Sequence, residues 1–497
     1  MKMKKRILAA LVALIVATVF SMSALAETDG ANGNPPEGMG EPPAGMGNPP
    51  DGMPGNPPDG MPGEPPEGMG NPPDGMPGGP GGPGGFGGSG ASDFEYTGAT
   101  EITDAADEAD SAYASATADE SALIVNTEED VSLENPTVTK TGDSNGGDSC
   151  NFYGLNAAVL AMGGGTVTIT GGTITSDADG ANGVFCYGGN GAQNGGAGDG
   201  TTVIISDTTI ATTGDGSGGI MTTGGGVTYA SNLTVETNGR SSAAIRTDRG
   251  GGTVMVDGGS YTSNGLGSPA IYSTADITVS NATLTSNLSE GVCIEGLNSI
   301  TLNDCDMTAN NTQRNSNATF LDTIMIYQSM SGDADSGTSH FTMNGGSLTS
   351  LSGHMFHVTN THAVITLTGV QLVNEDAENV LLSVCDDGWS GADNIAELNA
   401  VGQVLTGTIL VGDNSTLTLN LTDGSTFEGC VSGEIVNAKG ETVSTEVGTV
   451  SVTLDDTSTW TLTADTYITE FSGDAANVHA NGHALYVNGA ALEGVSA

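Results

Sequence analysis

The feature that most constrains the fold is a ten-residue phrase that recurs along most of the chain. In the copy from Val167 it reads Val-Thr-Ile-Thr-Gly-Gly-Thr-Ile-Thr-Ser, and close variants begin at Val254 and Phe341. Apolar and polar residues alternate on both sides of a small-residue turn, which is the period of a β-strand and not of a helix. A strand–turn–strand unit cannot bury its apolar face alone, so its repetition predicts a solenoid.

The copies follow one another at intervals of 23 to 27 residues, apart from two longer steps of 36 and 41 residues. They begin at Val167, Val203, Val227, Val254, Ile277, Ile300, Phe341 and Ile365. The longer steps contain segments rich in Gly, Asn, Asp and Ser, which we interpret as loops inserted into a regular coil. A third apolar segment recurs in each unit, as at Val184-Phe185 and Ile324-Met325-Ile326. Three short strands per turn predict an all-β, single-stranded parallel β-helix with strands about 4.8 Å apart.

Small residues recur five positions after the start of the phrase. They are Gly172, Gly259, Ala282, Cys305 and Gly346. A tight corner that needs a positive φ or a close backbone approach favours such residues. Since no glycine motif here opens a helix, the pattern indicates corner geometry and disfavours nucleotide binding.

Composition divides the chain into four segments. Residues 1–26 combine a basic start, an apolar stretch and an Ala24-Leu25-Ala26 motif, which predicts a signal peptide. Residues 27–92 are rich in Pro, Gly and Met, and we expect this linker to be disordered because it cannot form a core. Residues 93–130 are interpreted as an acidic N-terminal cap, of which 105–116 could form a short helix. Residues 131–497 would form the β-helix, and no segment after the signal peptide is apolar enough to span a membrane.

Charge restricts the partners of the exported chain. After Ala26 there are 59 acidic and six basic residues, a formal charge of −53. Such a surface repels nucleic acid and anionic lipid, so we expect no nucleic-acid partner. It could bind Ca²⁺, and candidate ligands in loops are Asp333, Asp335, Asp386 and Asp387. Their spacing matches no known calcium motif, and a solvated acidic surface is the alternative.

The six cysteines form no Cys-x-x-Cys pair, which excludes zinc ribbons and thioredoxin-like redox motifs. Export would permit disulfides, but the cysteines do not recur at one position of the repeat. We therefore expect buried free thiols.

Polar and aromatic side chains follow the third strand of neighbouring turns. They are Tyr187, Arg246, Tyr272, Glu295, Tyr327, Gln328 and His357. Stacked turns would bring some of them into one file. Aromatic faces flanked by hydrogen-bonding groups suit carbohydrate, so this file is the candidate ligand-binding strip, with ordinary surface decoration as the alternative.

Half of the basic residues of the exported chain lie within ten positions, at Arg240, Arg246 and Arg249. If the chain is an enzyme, Arg246 or Arg249 would supply a base, and Asp248 lies in the same turn. The alternative is a local ion-pair network with nearby carboxylates.

The coil pattern from about Glu120 onwards resembles right-handed parallel β-helix proteins of the pectate-lyase-like and adhesin group. The stretch Ser458-Thr-Trp460-Thr-Leu462 looks like the last coils of pertactin-like passenger domains, and Ser268-Pro-Ala-Ile-Tyr272 is similar to secreted bacterial β-helix proteins, mostly of unassigned function. The resemblance implies a right-handed coil. It also implies one of several activities, since this fold hosts binding, lyase and hydrolase functions.

From these observations we predict a secreted or cell-surface protein with a non-catalytic, adhesin-like role that contacts an extracellular glycan or another cell-surface component. The alternative is a polysaccharide lyase or glycoside hydrolase that acts in a groove along the β-helix. The chain lacks the Asn-Thr-Asp, Gly-His-Gly and Arg-Ile-Lys patterns of polygalacturonase-like enzymes. Ice binding through outward threonines is a third hypothesis, which the interruptions by Asn, Asp and Met disfavour.

Overall fold

The structure is a computed structural model that describes residues 95–191, 196–329 and 331–497. The predicted signal peptide and linker lie outside these residues, as do the first two residues of the predicted cap. The regular secondary structure of the described part is almost entirely β-strand, with one α-helix at Asp148–Tyr153 and a 3₁₀ helix at Ala475–Asn477. Its long sheets are parallel, which confirms the predicted parallel β-helix. None of its helices has both the length and the apolar character that crossing a membrane requires.

The strands of successive coils lie side by side in three stacks, A, B and C. Stack A contains Ala106–Ala109, Val131–Glu134, Thr166–Thr170, Thr202–Ser206, the first halves of Gly226–Thr237 and Gly252–Ser263, Asp276–Ser280, Ser299–Asn303, Thr338–Asn344, His362–Thr368, Asn394–Val401, Ser415–Thr422, Thr449–Leu454 and Glu470–Ser472. Stack B contains Ala112–Ser115, Thr137–Lys140, Thr173–Ser176, Thr209–Thr212, the second halves of the two long strands, Thr283–Ser286, Asp306–Asn310, Ser347–Ser352 and Gln371–Asn374. Stacks A and B belong to one sheet.

Stack C forms the second long sheet. It contains Glu101–Ile102, Leu123–Asn126, Val159–Met162, Val184–Tyr187, Ile220–Thr223, Ile245–Thr247, Ile271–Ser273, Val292–Glu295, Asp322–Tyr327, His354–Thr359, Val380–Val384, Val404–Val411, Thr426–Ser432, Thr459–Leu462 and Val478–His479. Three small sheets complete the described strands: Thr97–Gly98 with Glu120–Ser121, Ile435–Val436 with Thr442–Ser444, and Thr466–Ile468 with Leu485–Val487 and Ala490–Ala491.

The predicted register holds through most of stack A. Val167 lies opposite Val203, and Ile277, Ile300, Phe341 and Ile365 follow one another in the core. The prediction that Val227 begins a copy was wrong by one residue, because Thr228 pairs with Val203 and points inward. The Thr228 hydroxyl is satisfied inside the coil by the hydroxyl of Thr222, at 2.7 Å. A polar residue thus occupies a position that the apolar pattern assigns to its neighbour.

The recurring glycines do lie at tight corners. Gly172 has a φ of 83°, and a Cβ atom there would lie 2.2 Å from the carbonyl oxygen of Pro136 in the preceding coil. At Gly346 the corresponding distance, to the carbonyl oxygen of Cys305, would be 2.0 Å. Close approach between coils therefore explains the small residues at these two corners.

The helix expected within 105–116 is not present. This segment forms the strands Ala106–Ala109 and Ala112–Ser115, which pair with Val131–Glu134 and Thr137–Lys140. Tyr113 and Ser115 point into the core, while the alanines beside them face outward. The period of two and the pairing with the next coil outweigh the helix propensity of alanine.

Insertions leave the coil at its two corners beside stack C. Residues 141–158 and 311–321 connect stack B to stack C, and 188–201, 328–337 and 385–393 connect stack C to stack A. The two long steps of the repeat fall at these insertions, which confirms their interpretation as loops. All insertions therefore border the same face of the β-helix, the outer face of stack C.

All six cysteines are buried free thiols, as predicted. Burial raises the pKa of Cys150 to about 11 and that of Cys186 to about 12. These thiols therefore stay protonated and unreactive at neutral pH.

Candidate functional site

The outer face of stack C is largely covered, unlike the outer face of stacks A and B. Six strands of stack C, among them Asp322–Tyr327 and His354–Thr359, are buried at four to six consecutive residues. Outward side chains of successive strands lie in one file, in the order Phe185, Met221, Arg246, Tyr272, Cys293, Met325, His357 and Ser383. The insertions fold over both ends of this file.

The N-terminal cover is apolar. We use this name for the helix Asp148–Tyr153 together with the side chains beneath it. Phe152 and Tyr153 of the helix pack against Phe185, Tyr187 and Met221. The rings of Tyr153 and Tyr187 meet edge to face with centroids 5.9 Å apart. Tyr187, a predicted ligand-binding residue, is therefore a buried member of this cover.

The C-terminal cover, formed by loops 311–321 and 385–393, is polar beneath one aromatic ring. Ser383 Oγ lies 2.8 Å from His354 Nδ1 and 2.7 Å from His357 Nδ1. His357 Nε2 faces Asp387 Oδ2 at 3.4 Å. The ring of Phe320 lies over both histidines, 4.8 Å from His357 between centroids. The order Ser–His–Asp is that of a nucleophilic triad, but Ser383 and His357 are fully buried, so the network packs the cover and has no access to substrate.

Burial and hydrogen bonds together determine the protonation states of His354 and Asp387. Burial lowers the pKa of His354 to about 3, so this imidazole is neutral at physiological pH. Burial alone would raise the pKa of Asp387, but His357 and the hydrogen bonds from Thr319 lower it overall. Thr319 donates to Asp387 Oδ1 from both its backbone N–H and its hydroxyl, each at 2.6 Å. An ionised Asp387 therefore ties the two loops together.

Between the covers the face of stack C is open at Arg246 and Tyr272, which are partly exposed. We call this region the window. The hydroxyl of Tyr272 donates to Glu295 Oε2 at 2.6 Å, and that of Tyr327 donates to the same oxygen at 3.2 Å. The partly exposed ring of Trp389 packs on Tyr327 with centroids 4.8 Å apart. Glu295 is thus a buried anchor that positions the rings around it.

Serine hydroxyls from loop 328–337 complete the surroundings of Glu295. Ser329 and Ser331 both donate to Glu295 Oε1. Gln328 holds the same loop, since its Nε2 donates to the carbonyl oxygens of Ser329 and Ala334. The predicted residues Glu295, Tyr327 and Gln328 are therefore buried, and they shape the window from below.

Each of the two arginines considered as a base is held in an ion pair. Arg246 Nη2 lies 2.6 Å from Asp248 Oδ2, and its guanidinium lies 5.3 Å from the centre of the Tyr272 ring. Arg249 binds Asp333 at 2.8 Å and stacks on Phe152 at 4.0 Å. Burial raises the pKa of Asp248 to about 6, although Arg246 acts in the opposite direction. The arrangement is the ion-pair network named above as the alternative.

A cleft of about 330 Å³ adjoins the window at the corner between stacks C and A. Its lining includes Gly196–Gly198, the glycine turn 250–252, residues 274–276 and Asp333–Asp335. Asp276 and Asp335 are exposed along it. The cleft therefore offers carboxylates and backbone polar groups next to the aromatic surface of the window.

The four predicted cation ligands are divided between two loops. Asp333 and Asp335 lie on the cleft wall, whereas Asp386 accepts a hydrogen bond from Asn394 and Asp387 belongs to the C-terminal cover. In the part of the chain that the structure describes, no three His, Cys, Asp or Glu side chains are grouped to hold a metal ion.

Sequence reasoning missed Trp389, Ser329 and Ser331 because they lie in insertions, outside the repeat. Trp389 is one of two tryptophans in the chain and stands in the loop phrase Asp-Asp-Gly-Trp-Ser-Gly. A tryptophan in such a polar loop is a signal that could have found it.

Comparisons of the chain with known protein families, with curated proteins and with solved structures found no match. The functional argument therefore depends on the geometry of the window and the cleft.

Proposed function

We propose that this protein is an exported β-helix that binds carbohydrate without catalysis, in an adhesin-like role at or beyond the cell surface. Kinship with the pectate-lyase-like and pertactin-like groups is part of the same proposal. The observation that carries it is the window, where Tyr272 and Arg246 are partly exposed and each is bonded to a buried carboxylate, Glu295 and Asp248, next to a polar cleft.

The aromatic surface of the window is preorganised. Tyr272 is fixed through its hydroxyl to Glu295, and Trp389 is fixed through its ring to Tyr327. A rigid ring loses little conformational entropy on binding, and its face suits the C–H surface of a sugar. Arg246 keeps donor groups beside Tyr272. This combination supports a sugar as the ligand better than it supports a flexible peptide.

The cleft indicates which sugars are favoured. Its side chains include Asp276, Asn298, Asp333 and Asp335, and of these Asp333 is paired with Arg249. Carboxylate and backbone carbonyl oxygens accept hydrogen bonds from hydroxyl and ammonium groups. An acidic polysaccharide would be repelled by these carboxylates and by the charge of the whole chain. We therefore propose neutral glycans or glycans with amino sugars as the ligand class.

The contacts of the two arginines favour binding over the lyase alternative. A base must lose its proton, and a carboxylate partner stabilises the protonated guanidinium. Arg246 and Arg249 each have such a partner within 3 Å. Asp333 raises the pKa of Arg249 overall, although burial of the guanidinium acts in the opposite direction. The groups available to contact a ligand are thus better suited to hold it than to cleave it.

The test is binding of purified protein to arrays of neutral, amino and acidic oligosaccharides, followed by calorimetry on the hits. We expect Trp389→Ala to weaken binding at least about tenfold, as is usual for loss of an aromatic anchor. Tyr467→Ala is the matched control, because Tyr467 is 51 % exposed and stacks on Tyr486 in the last coils. Its binding should equal that of the unchanged protein.

The same hits are incubated with the protein and assayed for reducing ends and for unsaturated products, with and without Ca²⁺. Turnover that Arg246→Ala abolishes would replace the binding proposal with the enzyme alternative. Equal binding of the Trp389→Ala and unchanged proteins would remove the window from the proposal.

A further inference from the structure

Three polar side chains are buried together where stack B passes into stack C in two adjacent coils. Glu290 precedes the strand Val292–Glu295, and Asp322 begins the next strand of the stack. The backbone N–H of Gly291 donates to the carbonyl oxygen of Thr323 at 2.8 Å, which places Glu290 beside Asp322. Asn311 Nδ2 donates to the carbonyl oxygen of Asp322 at 3.1 Å. The exposed fractions are 7 % for Glu290, 1 % for Asn311 and 1 % for Asp322.

Two oxygen atoms of this cluster have no hydrogen-bond donor. Asp322 Oδ1 and Asn311 Oδ1 are both buried without a partner. Glu290 Oε2 accepts a hydrogen bond from Ser289 Oγ. Within the described residues, neither Glu290 nor Asp322 forms an ion pair with Lys, Arg or His. Buried acceptors without donors are rare in folded proteins, and an unseen ion or water is a standard reason for them.

The cluster is unfavourable as it stands. Two carboxyl groups lie side by side away from water, and among the described residues neither has a cationic partner. Asp322 Oδ1 and Asn311 Oδ1 each lack a donor, which costs free energy for a buried acceptor. A cation bound between the three side chains would satisfy all of the oxygens at once.

We propose that Glu290, Asn311 and Asp322 bind a divalent cation with hard-ligand preference, Ca²⁺ in an extracellular setting. Carboxylate and amide oxygens are the ligands that Ca²⁺ prefers, and two negative charges match its own. The site lies at the base of the insertion 311–321, which carries Thr319 and Phe320 of the C-terminal cover. The bound cation would join two coils and fasten this insertion. The site differs from the four aspartates that the sequence suggested, and it is independent of the carbohydrate proposal.

The experiment compares the unchanged protein with the double variant Glu290→Gln/Asp322→Asn, using Ca²⁺ alone as the ligand. Equilibrium dialysis should show one bound Ca²⁺ fewer for the variant. The apparent melting temperature of the unchanged protein should rise by a few degrees at Ca²⁺ concentrations about a hundredfold above Kd, and the rise should vanish in the variant. Glu128→Gln/Glu129→Gln is the matched control, since it removes two carboxylates that are exposed and so changes the net charge by the same amount as the double variant does. It should keep both effects.

A measurement on the unchanged protein makes the test independent of variant folding. Because the site lies at the base of the insertion 311–321, Ca²⁺ should slow hydrogen exchange in this insertion and leave the helix Asp148–Tyr153 unchanged. Ca²⁺ binding without this local protection, or equal Ca²⁺ stoichiometry in all three proteins, would overturn the proposal.

Discussion

The two covers of stack C both shield outward side chains of that stack from water, but they do so with different chemistry. Both rest on one file of outward side chains, which runs from Phe185 beneath the first cover to His357 and Ser383 beneath the second. The N-terminal cover closes over this file with aromatic and aliphatic groups, whereas the C-terminal cover encloses two histidines, a serine and an ionised aspartate. The difference teaches that the repeat determines the inside of the coil, while each insertion determines independently what lies outside it.

The difference also predicts how each end responds to pH. The buried titratable groups of the N-terminal cover include tyrosines and Cys150, and burial raises the pKa of Tyr187, Tyr96 and Cys150 further above neutrality. The C-terminal cover contains His354, whose pKa burial lowers to about 3. Acid should therefore open one end of the face and leave the other closed.

The largest expected effect is the loss of stability of the C-terminal cover on acidification. The folded-state pKa of His354 lies below its unfolded value of about 6.5, so between pH 6.5 and 3 the unfolded chain binds one more proton. Stability therefore falls as the pH falls, by up to about 5 kcal/mol at pH 3. Urea unfolding of His354→Gln across this range should lack that part of the pH dependence.

Comparison with variants is needed because other groups act in the opposite direction. The raised pKa of Asp248, about 6, adds stability as the pH falls through it. His362→Gln is the control, since His362 is exposed on stack A. If His354→Gln and His362→Gln show the same pH dependence, the difference between the covers is not electrostatic.

The second effect concerns the apolar cover. Phe185 is fully buried among Phe152, Tyr153 and Met221, so Phe185→Ala should lower the free energy of unfolding by about 4 kcal/mol. The loss should be the same at pH 5 and pH 8, because burial raises the pKa values of Cys150 and Tyr187 above this range. Val404→Ala, at a side chain that is 62 % exposed, should change stability by less than about 0.5 kcal/mol. A strongly pH-dependent loss in Phe185→Ala would contradict the comparison.

The third effect concerns the hydrogen bonds from Thr319 of loop 311–321 to Asp387 of loop 385–393. Thr319→Ala removes the hydroxyl donor to Asp387 and should lower stability by about 2 kcal/mol, the usual contribution of a hydrogen bond to a buried charge. With one donor fewer, the pKa of Asp387 should also move up. Hydrogen exchange should show faster opening of 311–321 and unchanged protection of the helix Asp148–Tyr153. Thr319→Ser keeps the hydroxyl and should restore both properties.

The interior of the coil could be predicted from the sequence because it depends on two periods only, the alternation of side chains along a strand and the interval between copies of the repeat. Alternation assigns the inward residues of Ile277–Val279 and Phe341–Met343, and the repeat interval sets one coil on the next. The failure at Val227 has a physical cause, since a hydroxyl pair between Thr222 and Thr228 replaces an apolar contact.

The candidate site could be predicted only in part. The common face of Arg246 and Tyr272, and of Glu295 and Tyr327, follows from the register of the strands. The burial of Tyr187 and His357 does not follow from it, because the insertions that cover them have no period. The same limit hid Trp389 and the cluster around Asp322.

The smallest expected effect concerns the uncovered outer surface of stacks A and B, where exposed polar side chains bond to one another. At the corner after stack B, Asn264 donates to Asn238 Oδ1 at 2.9 Å and accepts from Asn287 Nδ2 at 2.7 Å, so exposed side chains of three coils satisfy one another. Asn264→Ala should cost about 0.5–1 kcal/mol, because water replaces most of what the exposed amides lose. Thr173→Ala, at an exposed outward position of stack B, should cost less than about 0.5 kcal/mol. If Asn264→Ala instead lowers the free energy of unfolding as much as Thr319→Ala does, the exposed asparagine ladder stabilises the coil as strongly as the buried network does. The covered and open faces would in that case differ in shape but not in their contribution to stability.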